Sequence, residues 1–105
     1  MSEVKLKLEK LIIEQLKKIY DPEIPVDIYE LGLIYEINID ADFNVEIKMT
    51  LTSPHCPAAE SLPPEVETKI RAIENVNEVN LSVVWDPPWT PDLMTDAAKL
   101  ELGML

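Results

Sequence analysis

An α+β fold is predicted by three observations on this 105-residue chain. The hydrophobic period is helical at the start, two residues in the middle, helical again, then two once more. The two middle runs are joined by a short polar loop, which makes them an antiparallel hairpin. The second and third strands are separated by a helix, and right-handed crossover makes such strands parallel. These give a two-layer α-β-β-α-β arrangement: a three-stranded mixed sheet in order 1-2-3, with helices covering one face. A chain of this length buries one core, so residues 1–105 read as a single domain.

The first helix is expected over residues 3–20. Leu8, Leu11, Ile12, Leu16, Ile19 and Tyr20 recur at helical spacing, with Lys7, Glu9, Lys10, Glu14, Lys17 and Lys18 on the other side. Asp21-Pro22 stops it, because the residue before proline avoids helical geometry. Residues 21–32 then form a structured loop with two prolines and four acids. In the hairpin, Leu33, Tyr35, Ile37 and Ile39 alternate with Ile34, Glu36 and Asn38; Val45, Ile47, Met49 and Leu51 alternate with Glu46, Lys48, Thr50 and Thr52. Tyr35, Ile37, Ile47 and Met49 are assigned inward, and Ile34, Lys48 and Thr50 to the opposite face.

The second helix carries Ala59, Leu62, Val66, Ile70 and Ile73 at spacings of three and four. Pro63 and Pro64 argue against a regular helix through them, so it is expected over 64–74 with Ser61 as its cap and 58–62 at most a turn. The third strand is expected over 78–85, with Val79, Leu81, Val83 and Trp85 inward and Ser82 and Val84 outward. In the tail, the prolines from Pro87 to Pro91 forbid regular structure. Thr95 is placed to cap a short helix over 96–102 closed by Gly103. The tail or a second subunit is expected to cover the half-polar sheet face.

Charge narrows the function. Twenty acids against nine bases give a formal net charge of −11, which repels nucleic acid and anionic membranes. The topology resembles prokaryotic-type KH domains, but those grip RNA with a Gly-x-x-Gly loop beside basic residues. Here the only glycines are Gly32 and Gly103, so RNA binding is not expected. Residues 1–5 lead into an amphipathic pattern with no continuous apolar run, and a single cysteine suits a reducing compartment. A cytoplasmic protein is expected.

That cysteine is the most informative residue. Cys56 lies in Thr50-Leu51-Thr52-Ser53-Pro54-His55-Cys56-Pro57, between a strand end and a helix start and beside the only histidine. The N–H groups of a coming helix favour a thiolate. The competing reading is a small buried hydrophobe, the commoner fate of a free cysteine.

Four motifs in order resemble the SufT/PaaD family of iron–sulfur cluster assembly and maturation proteins: Asp21-Pro22-Glu23-Ile24; Leu31-Gly32-Leu33-Ile34-Tyr35; Met49 to Pro57; and Val84-Trp85-Asp86-Pro87-Pro88-Trp89-Thr90-Pro91, followed by the terminal Leu102-Gly103. The resemblance runs from Ile12 almost to the end, with Leu62-Pro63-Pro64 a departure at the start of the second helix. It implies an auxiliary role in delivering clusters to apo-proteins, with Cys56 as the reactive residue, and places apo iron–sulfur proteins and cluster scaffold or carrier proteins among the partners.

The residues constrain how that could work. A cluster needs several soft ligands, usually four thiolates, and this chain offers Cys56 and His55. No monomer could hold a cluster stably. A transient cluster or iron could be shared between Cys56 and a partner's cysteines, or bridge the Cys56 residues of a homodimer. Asp21 and Glu23 are neighbours of the cysteine if the loop folds back, or else only turn formers. Thr50 and Thr52 lead into the corner, and Trp89 follows two prolines, where it could wall a pocket, cover the sheet or meet a partner. A cysteine enzyme would want a base aimed at the thiol; a histidine adjacent in sequence serves that poorly, so catalysis is not expected. The alternative is a non-catalytic adaptor with a structural cysteine and Trp85 to Pro91 as its docking surface.

Overall fold

The computed structural model describes residues 2–21, 24–52 and 58–103, with only the backbone for 2 and 58–60. The order is α1 (Ser2–Leu16), β1 (Ile34–Ile39), β2 (Val45–Met49), α2 (Ala58–Arg71), β3 (Val79–Val83), a 3-10 turn (Pro91–Leu93) and α3 (Asp96–Glu101). The sheet has order β1-β2-β3, antiparallel between β1 and β2 and parallel between β2 and β3, as expected from the hydrophobic periods. α1 packs on β1 and α2, and α2 on β3. Leu8, Ile12, Leu16 and Ile19 meet Val45, Ile47 and Met49 and the Leu62, Val66 and Ile70 stripe of α2 in one core. Burying each such side chain is worth about 1.5–3 kcal/mol.

Several local expectations are corrected. α1 ends at Leu16, and 3-10-type bonds from Lys18 to Gln15 and Ile19 to Leu16 unwind the chain. Tyr20, past that end, is exposed instead of joining the apolar stripe, and so is Leu11 within the helix. α2 begins at Ala58, with Pro63 and Pro64 inside it and Ser61 exposed within its second turn, not at its cap. Proline's fixed φ is itself helical, and only the donors of residues 63 and 64 are lost. Burial of Leu62, Val66 and Ile70 offsets that loss.

In β1 the register slips between Ile34 and Glu36: Ile34 faces Met49 and Glu36 faces Lys48. One extra residue, Tyr35, is accommodated as a bulge. Ile34 thus shares the core face with Met49, and Tyr35, assigned inward by strict alternation, instead donates its hydroxyl to the Pro87 carbonyl at 2.8 Å. Beyond it the outer face is polar, with Lys48 paired to Glu36 at 3.2 Å.

β3 ends at Val83, where Val84 N–H still donates to the Met49 carbonyl at 2.8 Å. Trp85 lies beyond the last strand residue and is 46% exposed, so it is not the core residue its phase suggested. Trp89 takes that role in part, half-buried against the core. Thr95 caps α3 through its hydroxyl, which accepts from Ala98 N–H at 3.2 Å, and Gly103 follows at φ 74°, as the sequence indicated.

Candidate functional site

The parallel strands β2 and β3 leave the sheet at the same end, and everything that distinguishes this molecule gathers there. Past β2, Thr50 N–H donates to the Leu33 carbonyl at 2.8 Å; Leu33 N–H donates to Ile28, and Ile28 N–H to Ile19. This relay of backbone bonds ties the loop after α1 to the exit of β2. Tyr20 and Asp27 pair as an isolated bridge across the base of the intervening turn. Asp21 sits inside that turn, 4% exposed, with one carboxylate oxygen accepting the Ile24 N–H at 3.2 Å. The loop therefore folds back onto the exit of β2.

Thr50 is the least expected residue. Alternation put it on the open face, yet it is fully buried, and its hydroxyl has no hydrogen-bond partner among the described residues. Met49, Thr50 and Leu51 are buried in succession, so both faces of the chain are covered where it leaves the sheet. A buried hydroxyl without a partner costs about 1–3 kcal/mol, and native structures rarely carry one without a reason. Thr52, two residues on, is half-buried. Glu23, His55 and Cys56 lie outside the described residues, as does the 53–57 segment itself.

The tail closes the same end. Tyr35 holds it at Pro87, and Trp89 Nε1–H donates to the Leu31 carbonyl at 2.7 Å. Thr50 and Trp89 thus bond carbonyls two residues apart in one stretch of loop. Trp89 is a fixed wall of this region, not a free ring. Between those carbonyls, Gly32 has φ 82°, and a Cβ there would run into the Leu93 backbone carbonyl. Only glycine fits. Thr95 completes the clasp: its N–H donates to the Glu30 carbonyl at 3.0 Å and its hydroxyl to Glu30 Oε2 at 2.7 Å.

Sequence reasoning treated Leu31-Gly32-Leu33 as part of a motif and missed its mechanical role as the seat for both Thr50 and Trp89. A glycine between two apolar residues at the mouth of a strand is the available signal for close backbone approach. It also missed the environment of Asp27, whose carboxyl is pushed above the ordinary 3.8 by burial and by the Glu30 charge, although it accepts the Glu30 N–H. Among the described residues no group of His, Cys, Asp and Glu is arranged to hold a metal ion. Asp21 and Thr50 by themselves are hard oxygen donors, unsuited to the soft metals of clusters.

Comparison with known proteins agrees with this arrangement. Residues 9–83 match the family model described as iron–sulfur cluster assembly protein. The chain is 43% identical over 100 residues to an Fe-S protein maturation auxiliary factor of Porphyromonas gingivalis, covering 95% of each. It is 40% identical over 97 residues to the auxiliary factor YitW of Bacillus subtilis, covering 92% of this chain and 95% of that one. A solved domain of unknown function from Bacillus anthracis superposes with a TM-score of 0.86 at 37% identity over 94% of both chains. With residues 9–83 of 105 matched by one model and SufT-like relatives alike over most of their length, the chain belongs to the iron–sulfur cluster assembly protein family, in its SufT-like branch.

Proposed function

We propose that this protein is an auxiliary iron–sulfur maturation factor that passes a cluster, or iron, transiently through Cys56 to apo-proteins. The observation that carries the reading is Thr50: a fully buried hydroxyl without a partner among the described residues, at the point where β2 runs into the Cys56 segment. Relatives that share most of the chain bear the name Fe-S protein maturation auxiliary factor, which supports the same role. The loop with Asp21, the exit of β2 and Trp89 share one end of the sheet, where the chain runs on toward Cys56. One cysteine in 105 residues leaves most ligands to be supplied by another molecule, an apo iron–sulfur protein, a cluster scaffold or carrier, or a second copy. Incomplete ligation suits handover, since cargo held by four thiolates of one chain would not leave it readily. The role is one of transfer, with no catalytic group assigned, and it takes place in the cytoplasm.

A second reading, an adaptor with a structural cysteine, draws on the exposed ring of Trp85, since tryptophan is enriched in binding hot spots. Cys56 separates the two. Alkylation of the native protein against pH is expected to give a midpoint below the free-thiol value of about 8.5. Cys56→Ser is expected to melt within a few degrees of the parent yet transfer no cluster after anaerobic reconstitution with iron and sulfide. A thiol that resists alkylation until unfolding, with a marked loss of melting temperature in the serine variant, would establish the structural reading.

A further inference from the structure

The tail and the loop do more than close the sheet end. Where α3 lies against the loop, held by Thr95 on Glu30, they leave a groove of about 250 Å³. Its apolar lining is Tyr20, Pro25, Val26, Ala97 and Ala98; its charged lining is Asp27, Glu30 and Glu101. No cation lines it, and neither of the two ion pairs found among the described residues reaches it. Leu100, one helical turn from Ala97 and 67% exposed, carries the apolar surface outward.

This combination selects an occupant. The three carboxylates are not arranged to hold a metal ion. Carboxylates beside apolar side chains suit a planar, weakly hydrated cation better than a compact, strongly hydrated one, and guanidinium is such a cation. The Tyr20 ring, 58% exposed, offers a π face for it. Asp27 is already strained electrostatically: burial first, then the Glu30 charge, disfavours its ionised form, and an incoming cation would relieve both. We propose that this groove docks a segment of a partner protein in which an arginine is flanked by apolar side chains. The proposal does not rest on the Cys56 chemistry or on the cargo carried.

The probe is a fluorescein-labelled hexapeptide of alternating leucine and arginine, beside the same peptide with citrulline for arginine. Binding to the full chain is read by anisotropy, and the contact site by backbone amide shifts. Shifts are expected at Asp27, Ala97, Ala98 and Glu101, and the citrulline peptide is expected to bind at least fivefold more weakly, as for loss of a partly desolvated charge contact. Glu101→Gln and Ala97→Lys, both on the exposed side of α3, should each weaken binding to a similar extent without moving the melting temperature. Glu46→Gln, which changes the charge equally at the far side of the sheet, should change binding less than about twofold. Equal weakening by Glu46→Gln and Glu101→Gln would reduce the effect to the general charge of −11 and overturn the proposal. So would shifts confined elsewhere, equal binding of the citrulline peptide, or a concentration-dependent dimer that Glu101→Gln dissolves, since the groove would then serve a second copy of this chain.

Discussion

The two ends of the sheet are both closed by aspartate-bearing turns, and they satisfy their polar groups in opposite ways. At the hairpin end, Asp40 accepts from Asp42 and Asn44 N–H through one oxygen and from the Asn44 side chain through the other, each at 2.9 Å. Asn77 then bonds Asn44 at 3.0 Å. These groups lie at the surface, and the turn joins β1 to β2 and is tied to the chain entering β3. At the exit end, backbone bonds tie the loop to β2, but Asp21 and Thr50 are taken out of water, and the Thr50 hydroxyl has no partner among the described residues. A turn that only had to be stable would be built like the first. The second gives up stability at the mouth of the cysteine segment, which is where a functional demand would show.

The largest effect that sharpens this contrast is in the tail. Trp89→Ala removes a half-buried ring and its 2.7 Å bond to Leu31, and should cost about 2–4 kcal/mol by denaturant unfolding, with cluster transfer impaired. Trp85→Ala, four residues earlier but exposed, should cost less than about 1 kcal/mol. Equal losses would mean that the exit end is held by the whole tail and not by the Trp89 clasp.

A smaller effect is electrostatic. Hydrogen bonds from Asn44, first from its side chain and then its N–H, hold Asp40 below the ordinary 3.8, whereas Asp27 at the exit end lies above it. The signs differ accordingly. Asp40 contributes stability that is present above the ordinary carboxylate value and lost as pH falls through its folded value. Asp27 contributes stability that is present below the ordinary value and lost as pH rises through its folded value. Side-chain carboxyl titration by NMR should place the two on opposite sides of 3.8. Asp40→Ala should lower the melting temperature and leave transfer per folded molecule unchanged; a loss of transfer would erase the distinction between the ends.

How much of this was legible in the sequence depends on the kind of signal. Leu8, Ile12, Leu16 and Ile19, the alternation of β2, and the Thr95 and Gly103 caps are set by local periodicity and capping, and were readable. The parallel direction of the second and third strands followed from the helical crossover between them. What failed needed tertiary knowledge: the bulge at Tyr35 is fixed by its reach to Pro87, and α2 runs through Pro63 and Pro64 because its stripe is buried on the sheet. The roles of Trp85 and Trp89 exchange because β3 stops two residues before Trp85. Asp21, Thr50 and Trp89 were named as site candidates from the motifs, but the burial of Thr50 was not visible, because alternation alone puts it on the open face.

The most direct measurement is made on Thr50→Val, which keeps the shape and deletes the hydroxyl. Its thermal midpoint and the rate of cluster transfer to an apo iron–sulfur protein are measured on the same preparation. A buried hydroxyl with no partner offers no stability, so the variant should melt at or above the parent temperature; if the hydroxyl serves the Cys56 end, transfer should fall several-fold. A lower midpoint with transfer unchanged would contradict the account, because the hydroxyl would then belong to the fold and not to the site.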